Sequence, residues 1–354
     1  MIDPQNKIFE DLFVMEIANN HWGDVSRGKK IIEEYGKLIK KYDIKAAMKF
    51  QFRDPETFIH KDFLNLDTDG ETEDVPGTNT RYVKKTIATA LTKEQFKELL
   101  DYSKEWGFMT MTTPFDEKSV DLAVDLGVEI MKVGSGTAIS WPLVEKIAAV
   151  GKPTIISNGG TRIEDLDRVI QYFEDKNVPL AVNHCVSLYP SEDNDLELHQ
   201  IDFLRKRYPK HVIGFSTHEY NDWSCSLMMA YAKGARTFER HIDIEDGGIK
   251  VSPYCSLPHQ VEQWFIAYKK AKEMLGSEVL DQRILTDKEE VYVRSVCRGA
   301  YAKKDLPEGH VINRDSLDND FYLAIPLQEG QLSERELEKE TVLSKPIKKD
   351  EPIS

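Results

Sequence analysis

Gly214-Phe215-Ser216-Thr217-His218 and Thr237-Phe238-Glu239-Arg240-His241 decide how this 354-residue sequence is read. Each is a short β-favouring run that ends in a polar cluster with a histidine, and the histidines lie 23 positions apart. That interval accommodates one helix and two turns, so the runs read as neighbouring parallel strands joined by a crossover helix. Parallel neighbours end at the same edge of a sheet. His218 and His241 then project side by side as neutral-imidazole candidates for a divalent metal.

The same unit repeats outward in both directions. Strands are expected over Leu12–Ile17, Lys45–Phe52, Phe108–Thr112, Glu129–Val133, Pro153–Ser157, Pro179–Asn183, Val212–Ser216 and Thr237–Arg240. Helices are expected between them, among others over Lys93–Glu105, Asp116–Leu126, Trp141–Ala149, Ile163–Phe173, Leu196–Arg207 and Asp222–Lys233, with Val261–Leu275 closing the series. Eight strands alternating with helices predict an α/β fold, a (β/α)8 TIM barrel. An open doubly wound sheet would carry a glycine-rich turn after its first strand, and Ala18-Asn19-Asn20-His21 is not one. The polar insert 53–80 is too long for a plain connection and reads as a functional loop or a partly disordered one. After Gly276 the character changes. The expected division is a catalytic barrel over 1–280, a charged linker over 281–297 and a small mainly-β domain over 298–354 with a brief charged helix, Ser333–Glu340.

Composition narrows the function. A net charge of −14 disfavours nucleic acid and an anionic membrane surface as partners. It also means that an anionic substrate needs a locally basic pocket. Four dispersed cysteines with no CxxC spacing argue against a disulfide framework and for a reducing, cytoplasmic setting. The N-terminus has neither a basic nor an apolar leader region, and no apolar run reaches the ~18 residues of a membrane span.

The active site of such a barrel lies at the C-terminal ends of its strands. Those ends carry Glu16; Lys49 and Gln51; Thr113; Lys132 and Ser135; Ser157 and Asn158; His184, Ser187 and Tyr189; Ser216 and His218; Glu239 and His241. Lys49 and Lys132 interrupt otherwise apolar strands, where an unpaired lysine is costly, so they read as cations facing an anionic substrate. Gly134-Ser135-Gly136-Thr137 can present backbone N–H groups to a phosphate or carboxylate. Glu16 reads as a general acid/base or as a salt-bridge partner of Lys49 or Arg240. Glu239 and Arg240 are adjacent in a strand, so at least one points away from the lumen.

Seven phrases in register carry a resemblance: Glu16-Ile17-Ala18-Asn19-Asn20-His21-Trp22-Gly23, Lys49-Phe50-Gln51, Thr113-Pro114-Phe115, Lys132-Val133-Gly134-Ser135-Gly136, Asn183-His184-Cys185-Val186-Ser187-Leu188-Tyr189-Pro190, Gly214–His218 and Glu239-Arg240-His241. Together they resemble the sialic acid (nonulosonic acid) synthases, including the spore-coat polysaccharide protein E branch. Residues from Arg298 resemble, more loosely, the antifreeze-like (SAF) domain of those enzymes. The resemblance implies a metal-dependent condensation of phosphoenolpyruvate with an open-chain N-acylated hexosamine, giving a 2-keto-3-deoxy acid and phosphate. It implies Glu16, Lys49 and Lys132 as catalytic residues, with Lys49, Lys132, Ser135, Ser187 and Ser216 holding phosphoenolpyruvate. Gln51, Thr113 and Tyr189 would line the sugar site, and Ser157 and Glu239 join the substrate-binding set. His218 and His241 would hold Mn²⁺ or Mg²⁺, and the partnership implied is a domain-swapped homodimer.

The sequence also departs from that pattern. Thr137 stands where an acidic residue often follows the GSG run. Gly247-Gly248-Ile249-Lys250-Val251-Ser252 lacks the expected sugar-binding aspartate, and Ala324-Ile325-Pro326 stands where a KRP-like phrase supplies an arginine. The acceptor half is thus expected to differ from an N-acetylmannosamine site. A 3-deoxy-octulosonate or heptulosonate phosphate synthase is a rival within the reaction class, disfavoured because the strand ends show no further Arg/Lys cluster. A non-catalytic polysaccharide-assembly scaffold is a rival outside it, disfavoured by the buried charges.

Overall fold

The computed structural model describes residues 2–65, 80–276, 284–337 and 339–354. The chain divides into two compact units, 1–276 and 277–354.

The first unit is the expected barrel. Its strands are β1 (Leu12–Ala18), β2 (Ala46–Phe52), β3 (Met109–Pro114), β4 (Ile130–Val133), β5 (Thr154–Ser157), β6 (Leu180–Cys185), β7 (Val212–Thr217) and β8 (Thr237–Ile242), followed by a two-residue β9 (Cys255–Ser256). All pair in parallel in chain order, and β1 pairs with β8 to close the sheet, with Leu12 opposite Thr237 and Glu16 opposite His241. The outer helices are α1 (Val25–Tyr42), α2 (Pro55–Phe58), α3 (Thr80–Ala88), α4 (Lys93–Trp106), α5 (Glu117–Asp125), α6 (Trp141–Val150), α7 (Ile163–Asp175), α8 (His199–Arg207), α9 (Cys225–Ala232) and α10 (Pro258–Leu275). Helix α3 was not foreseen. The described start of the insert, 53–65, holds α2 and a short turn over Lys61–Phe63, directly after β2. The rest of the insert, 66–79, lies outside the described residues.

Strand pleating builds the interior. Successive side chains alternate between faces, so Phe13, Met15 and Ile17 face the helices while Leu12, Val14 and Glu16 face the lumen. Phe13 packs edge-on against Trp264, Phe265 and Tyr268 of α10, with ring centroids 4.8–5.3 Å apart. Inside, the lower layer is apolar: Leu12, Val14, Ala47, Met111, Ile130, Ile155, Ala181 and Val212 form one buried cluster with Phe9. Phe9 belongs to an N-terminal 3-10 turn, Pro4–Phe9, that plugs the floor. Asn6 in that turn accepts from the Leu180 N–H at 2.7 Å and donates to the Lys210 carbonyl at 2.9 Å. One pleat further up, the lumen positions turn polar on every strand except β7, where Gly214 stands, and this switch positions the site.

Gly214 shows how tightly the lumen is filled. A methyl group there would lie 2.2 Å from Asn183 Oδ1 and 2.7 Å from the Thr237 carbonyl oxygen, both on neighbouring strands. We expect Gly214→Ala to cost about 1–3 kcal/mol of stability by overpacking, read as a lower urea midpoint with an unchanged slope.

The second unit holds two small antiparallel pairs. β10 (Gly299–Ala302) pairs with β12 (Phe321–Ala324), and β11 (Val311–Ile312) with β13 (Thr341–Val342). Its core comprises Ala300, Ala302, Leu306, Ile312, Phe321, Leu343, Ile347 and Ile353. Two expectations are corrected here. The charged segment expected to be a linker contains α11 (Asp287–Val296), started by a capping box between Thr286 and Glu289. The helix expected over Ser333–Glu340 is a turn. Ser333 adopts the geometry of a capping box, with Glu336 accepting from its N–H at 2.9 Å, but its backbone bridges to Gly299 as in a strand pair, and the described residues that follow make only a turn.

Candidate active site

A cavity of about 820 Å³ opens where the barrel strands end. All thirteen side chains singled out from the strand ends as catalytic, substrate-binding or metal-binding line it. The pleat that makes the floor apolar makes this layer: Glu16 follows Leu12 and Val14, Lys49 follows Ala47, Lys132 follows Ile130, and Glu239 follows Thr237, each two residues on. Arg240, one residue out of phase, points outward. It is buried against Glu219 at 2.8 Å and the Ser256 hydroxyl at 2.9 Å. His184 and Asn158 also leave the lumen set. His184 Nε2 is 2.7 Å from the Leu196 carbonyl oxygen, its ring stacked on Phe215, and Asn158 Oδ1 accepts from the Cys185 N–H.

The centre is a buried cluster of four charges. Lys49 Nζ lies 2.5 Å from Glu16 and 2.7 Å from Glu239, and Lys132 Nζ lies 2.7 Å from the other oxygen of Glu239. Burying ions costs several kcal/mol each before pairing offsets it, so a barrel serving only as a scaffold would be better filled with apolar side chains. The surroundings push these groups in different directions. Burial holds Glu16 above the usual carboxylate range, with the Glu239 charge adding to the rise and Lys49 opposing it. Burial also opposes the Glu239 charge, but Lys132 and Lys49 outweigh it and keep the group ionised far below its ordinary pKa. Desolvation lowers Lys132, whereas the two carboxylates beside Lys49 overcome its burial and raise it. Glu16 sits at a β-bulge. The β1–β2 register slips between Glu16 and Ala18, Ala18 takes φ +48°, and Glu16 Oε1 accepts from the Ala18 N–H at 2.7 Å. This strained conformation at a non-glycine residue aims the carboxylate at Lys49.

Beside the cluster stand the two histidines, ring centroids 5.5 Å apart. Burial pushes His218 down to about 4 and His241 well below its ordinary value, so both are neutral ligand-type imidazoles near pH 7. His218 Nδ1 lies 3.0 Å from the Val186 carbonyl oxygen, an arrangement that leaves Nε2 with its lone pair. His241 Nδ1 is buried without a hydrogen-bond partner. A neutral imidazole pair with an orphaned ring nitrogen fits a divalent ion. Among the described residues no cluster of three or more His, Cys, Asp or Glu side chains is placed to hold a metal. A metal on this pair would therefore keep positions for water and substrate, as catalytic sites do. Tyr189 packs against the ring of His218 at 3.9 Å, and Tyr254 against that of His241 at 5.2 Å.

On the opposite wall the Ser135 and Ser187 hydroxyls converge on Gly159. A methyl group at Gly159 would lie 2.4 Å from Ser187 Oγ and 2.7 Å from Ser135 Oγ. Gly159 and Gly160 thus keep backbone amides and hydroxyls together at one point, with Arg162 on the same cavity wall.

Sequence reasoning missed Arg53, Lys85, Arg162, Tyr82 and Tyr254, all of which line the cavity. The expectation of no further Arg/Lys cluster is therefore corrected. Arg53 was visible in principle, since it continues the Lys49, Gln51 alternation by one more step of two. Tyr82, Lys85 and Thr86 share one face of α3 at i, i+3, i+4 spacing, but α3 is only nine residues long and follows directly on the polar insert, which reads in sequence as a single loop. Five cations (Lys49, Arg53, Lys85, Lys132, Arg162) face three carboxylates (Glu16, Asp165, Glu239) around the cavity. The pocket is thus locally basic in a chain of net charge −14.

Comparison with known proteins shows what the chain is similar to. A model of the NeuB family matches residues 41–279. Human N-acetylneuraminate-9-phosphate synthase is 27% identical over 308 residues, covering 86% of this chain and 81% of that protein. The N,N'-diacetyllegionaminic acid synthase of Campylobacter jejuni is 25% identical over 310 residues, covering 86% of this chain and 89% of that one. A solved structure from Chromobacterium violaceum, described as a spore coat polysaccharide biosynthesis protein E, superposes with a TM-score of 0.86 at 35% identity, covering 97% of this chain and 98% of its own.

Proposed function

The chain belongs to the NeuB family, and from that membership and the barrel-mouth geometry we propose that it condenses phosphoenolpyruvate with an open-chain aldose to give a 2-keto-3-deoxy sugar acid and phosphate. The observation that carries the reading is the buried Lys49–Glu16–Glu239–Lys132 cluster, set between a serine–glycine wall and a neutral histidine pair in one locally basic cavity.

In this proposal Lys49 and Lys132 balance the charge of phosphoenolpyruvate, and Ser135, Ser157, Ser187, Ser216 and the Gly159–Gly160 amides orient its phosphate and carboxylate. His218 and His241 would hold Mn²⁺ or Mg²⁺; when bound, the ion supplies Lewis acidity toward the aldehyde oxygen. The C=C pair of the enol attacks the aldehyde carbon and forms the new C–C bond, while the aldehyde C=O π bond opens to an alkoxide and the former enol carbon is left as an oxocarbenium. Water adds at the former enol carbon and gives its proton to Glu16, which burial makes a stronger base than an ordinary carboxylate and which passes that proton to the alkoxide oxygen. The tetrahedral intermediate then expels phosphate by C–O cleavage and leaves the ketone. Gln51, Thr113 and Tyr189 line the acceptor end. The departures at Thr137, 247–252 and 324–326 support an acceptor other than N-acetylmannosamine.

The test is phosphate release from phosphoenolpyruvate with Mn²⁺ across a panel of open-chain aldoses and N-acylated hexosamines. No release with any of them would end the proposal. Turnover of N-acetylmannosamine at ordinary enzyme rates would end the part about the acceptor. Gly159→Ala is expected to raise KM for phosphoenolpyruvate by about tenfold while leaving that for the aldose unchanged, because the added methyl pushes into hydroxyls assigned to the phosphate. The same proposal includes an antifreeze-like second unit and a domain-swapped homodimer. A solution mass of two chains is expected, and a mass of one chain at micromolar concentration counts against it.

A further inference from the structure

Two cations of the cavity have no role in handling phosphoenolpyruvate. Lys49 and Lys132 pair with Glu16 and Glu239 and are the cations the proposed reaction assigns to phosphoenolpyruvate. Arg53 and Lys85, by contrast, form no ion pair with a described carboxylate. Arg53 is nevertheless held rigidly. Its guanidinium lies 3.8 Å from the centre of the Phe115 ring, donates to Gln51 Oε1 at 2.6 Å and to the Tyr82 hydroxyl at 3.1 Å, and approaches Asn19 Oδ1 at 3.5 Å. Neutral acceptors and an aromatic face orient a guanidinium without neutralising it. Lys85 is half-buried on α3, its ammonium 5.1 Å from the Trp22 ring. The field of Lys85 is felt at His241, and the like charge of Arg53 adds to burial in lowering Lys85. The pair therefore lies on the histidine and Gln51 side of the cavity, where the acceptor is placed, and not at the Gly159 wall assigned to phosphate.

Two half-buried cations beside one another in a cavity repel and are desolvated, a cost relieved by an anion between them. We propose that Arg53 and Lys85 bind a negatively charged substituent, a phosphate or a carboxylate, on the acceptor aldose, at the end remote from its aldehyde. This deepens the proposed function and rests on its assignment of the acceptor side. A cavity of about 820 Å³ has room for phosphoenolpyruvate and a charged hexose together.

The experiment has a binding arm and a kinetic arm. Mannitol, mannitol 1-phosphate and mannonate are open-chain probes that lack an aldehyde and cannot react. By calorimetry on the full chain with Mn²⁺, one or both of the anionic probes should bind at least tenfold more tightly than mannitol. Lys85→Met and Arg53→Met should each remove that preference. A preference for mannitol 1-phosphate alone identifies a phosphate site, and one for mannonate alone a carboxylate site. In the kinetic arm, Lys85→Met should lower kcat/KM for the charged aldose by roughly 10–100-fold, with KM for phosphoenolpyruvate unchanged. Turnover of the neutral counterpart should also be unchanged, whereas a merely structural role would lower both equally. Equal binding of charged and neutral probes, or anion binding intact in both variants, overturns the proposal. Because the binding arm needs no turnover, it still decides the matter if no aldose releases phosphate; that result would sink the proposed reaction on its own.

Discussion

Glu239→Gln will cost the barrel about 3–5 kcal/mol, the usual penalty for removing one member of a buried ion pair, and will lower the unfolding temperature by roughly 10 °C. The loss has a specific origin. Glu239 bridges Lys49 and Lys132, one oxygen to each, at 2.7 Å. Without its charge the two ammonium groups face each other in a dry site with only Glu16 to share. Lys132 responds most. Burial already depresses it, and Glu239 is the main influence holding it up, so in the variant it shifts further toward the neutral amine. The sign of the pH effect follows. A group with a lowered pKa regains its charge as pH falls, so binding of phosphoenolpyruvate to Glu239→Gln should strengthen from pH 8 to pH 6. The wild type, with Lys132 paired, should change little over that window. Turnover should drop by about 10²–10³-fold, the range for losing one electrostatic element of such a site. Thermal melts and phosphoenolpyruvate titrations at three pH values check this. An unchanged melting temperature together with pH-independent binding would mean that the cluster does not hold the substrate.

Replacing either histidine should have a comparable effect through a different route. The wild type is expected to retain about one divalent ion per chain, and His218→Ala or His241→Ala to retain none. Imidazole nitrogen favours Mn²⁺ over Mg²⁺, which prefers an all-oxygen octahedral shell, so Mn²⁺ should bind more tightly. Two protein ligands make a weak site, and loss of one leaves no chelate; phosphate release should fall by about 10³-fold or more, the scale of losing a Lewis acid worth several kcal/mol. Both positions are buried, so the folded fraction must be measured alongside. Neutral imidazoles contribute fully to folding above about pH 6.5, and that contribution declines as pH falls toward about 4, where His218 itself would take up a proton. Metal content measured at pH 7.5 on folded protein is therefore the clean comparison. Variants that keep both metal and rate would remove the histidine pair from the chemistry.

What could be read before folding, and what could not, divides along physical lines. The barrel was legible because eight β-favouring runs recur with helices between them, and a parallel sheet of that length closes on itself. The site was legible wherever a strand's alternation of two carried a polar residue past an apolar floor. Val14 to Glu16, Ala47 to Lys49 and Ile130 to Lys132 are the same step repeated. Arg240 confirms the rule from the other side. It is one residue out of phase, and it leaves the lumen to pair with Glu219. Residues reaching the cavity from outside a strand were not legible. Lys85 and Tyr82 arrive on α3, a nine-residue helix at the end of a polar insert read as one loop, and Tyr254 arrives from the connection after β8. His184 misled because a histidine at a strand end looks the same in sequence whether its ring turns inward or, as here, outward to stack on Phe215. Ser333–Glu340 misled because the Ser333 and Glu336 spacing of a capping box looks the same in sequence whether a helix follows or, as here, Ser333 pairs with Gly299 in a β-bridge.

The central claim, that the cavity joins phosphoenolpyruvate to an aldose and breaks the bond between carbon and the bridging oxygen, has a direct test. Phosphoenolpyruvate labelled with ¹⁸O in its bridging position would be turned over with Mn²⁺ and an accepted aldose, and the released phosphate weighed by mass spectrometry. The account predicts phosphate that carries the label, two mass units heavy, in equal amount with a 2-keto-3-deoxy acid. Unlabelled phosphate, with the heavy oxygen left in the keto product, would show cleavage at phosphorus and contradict it.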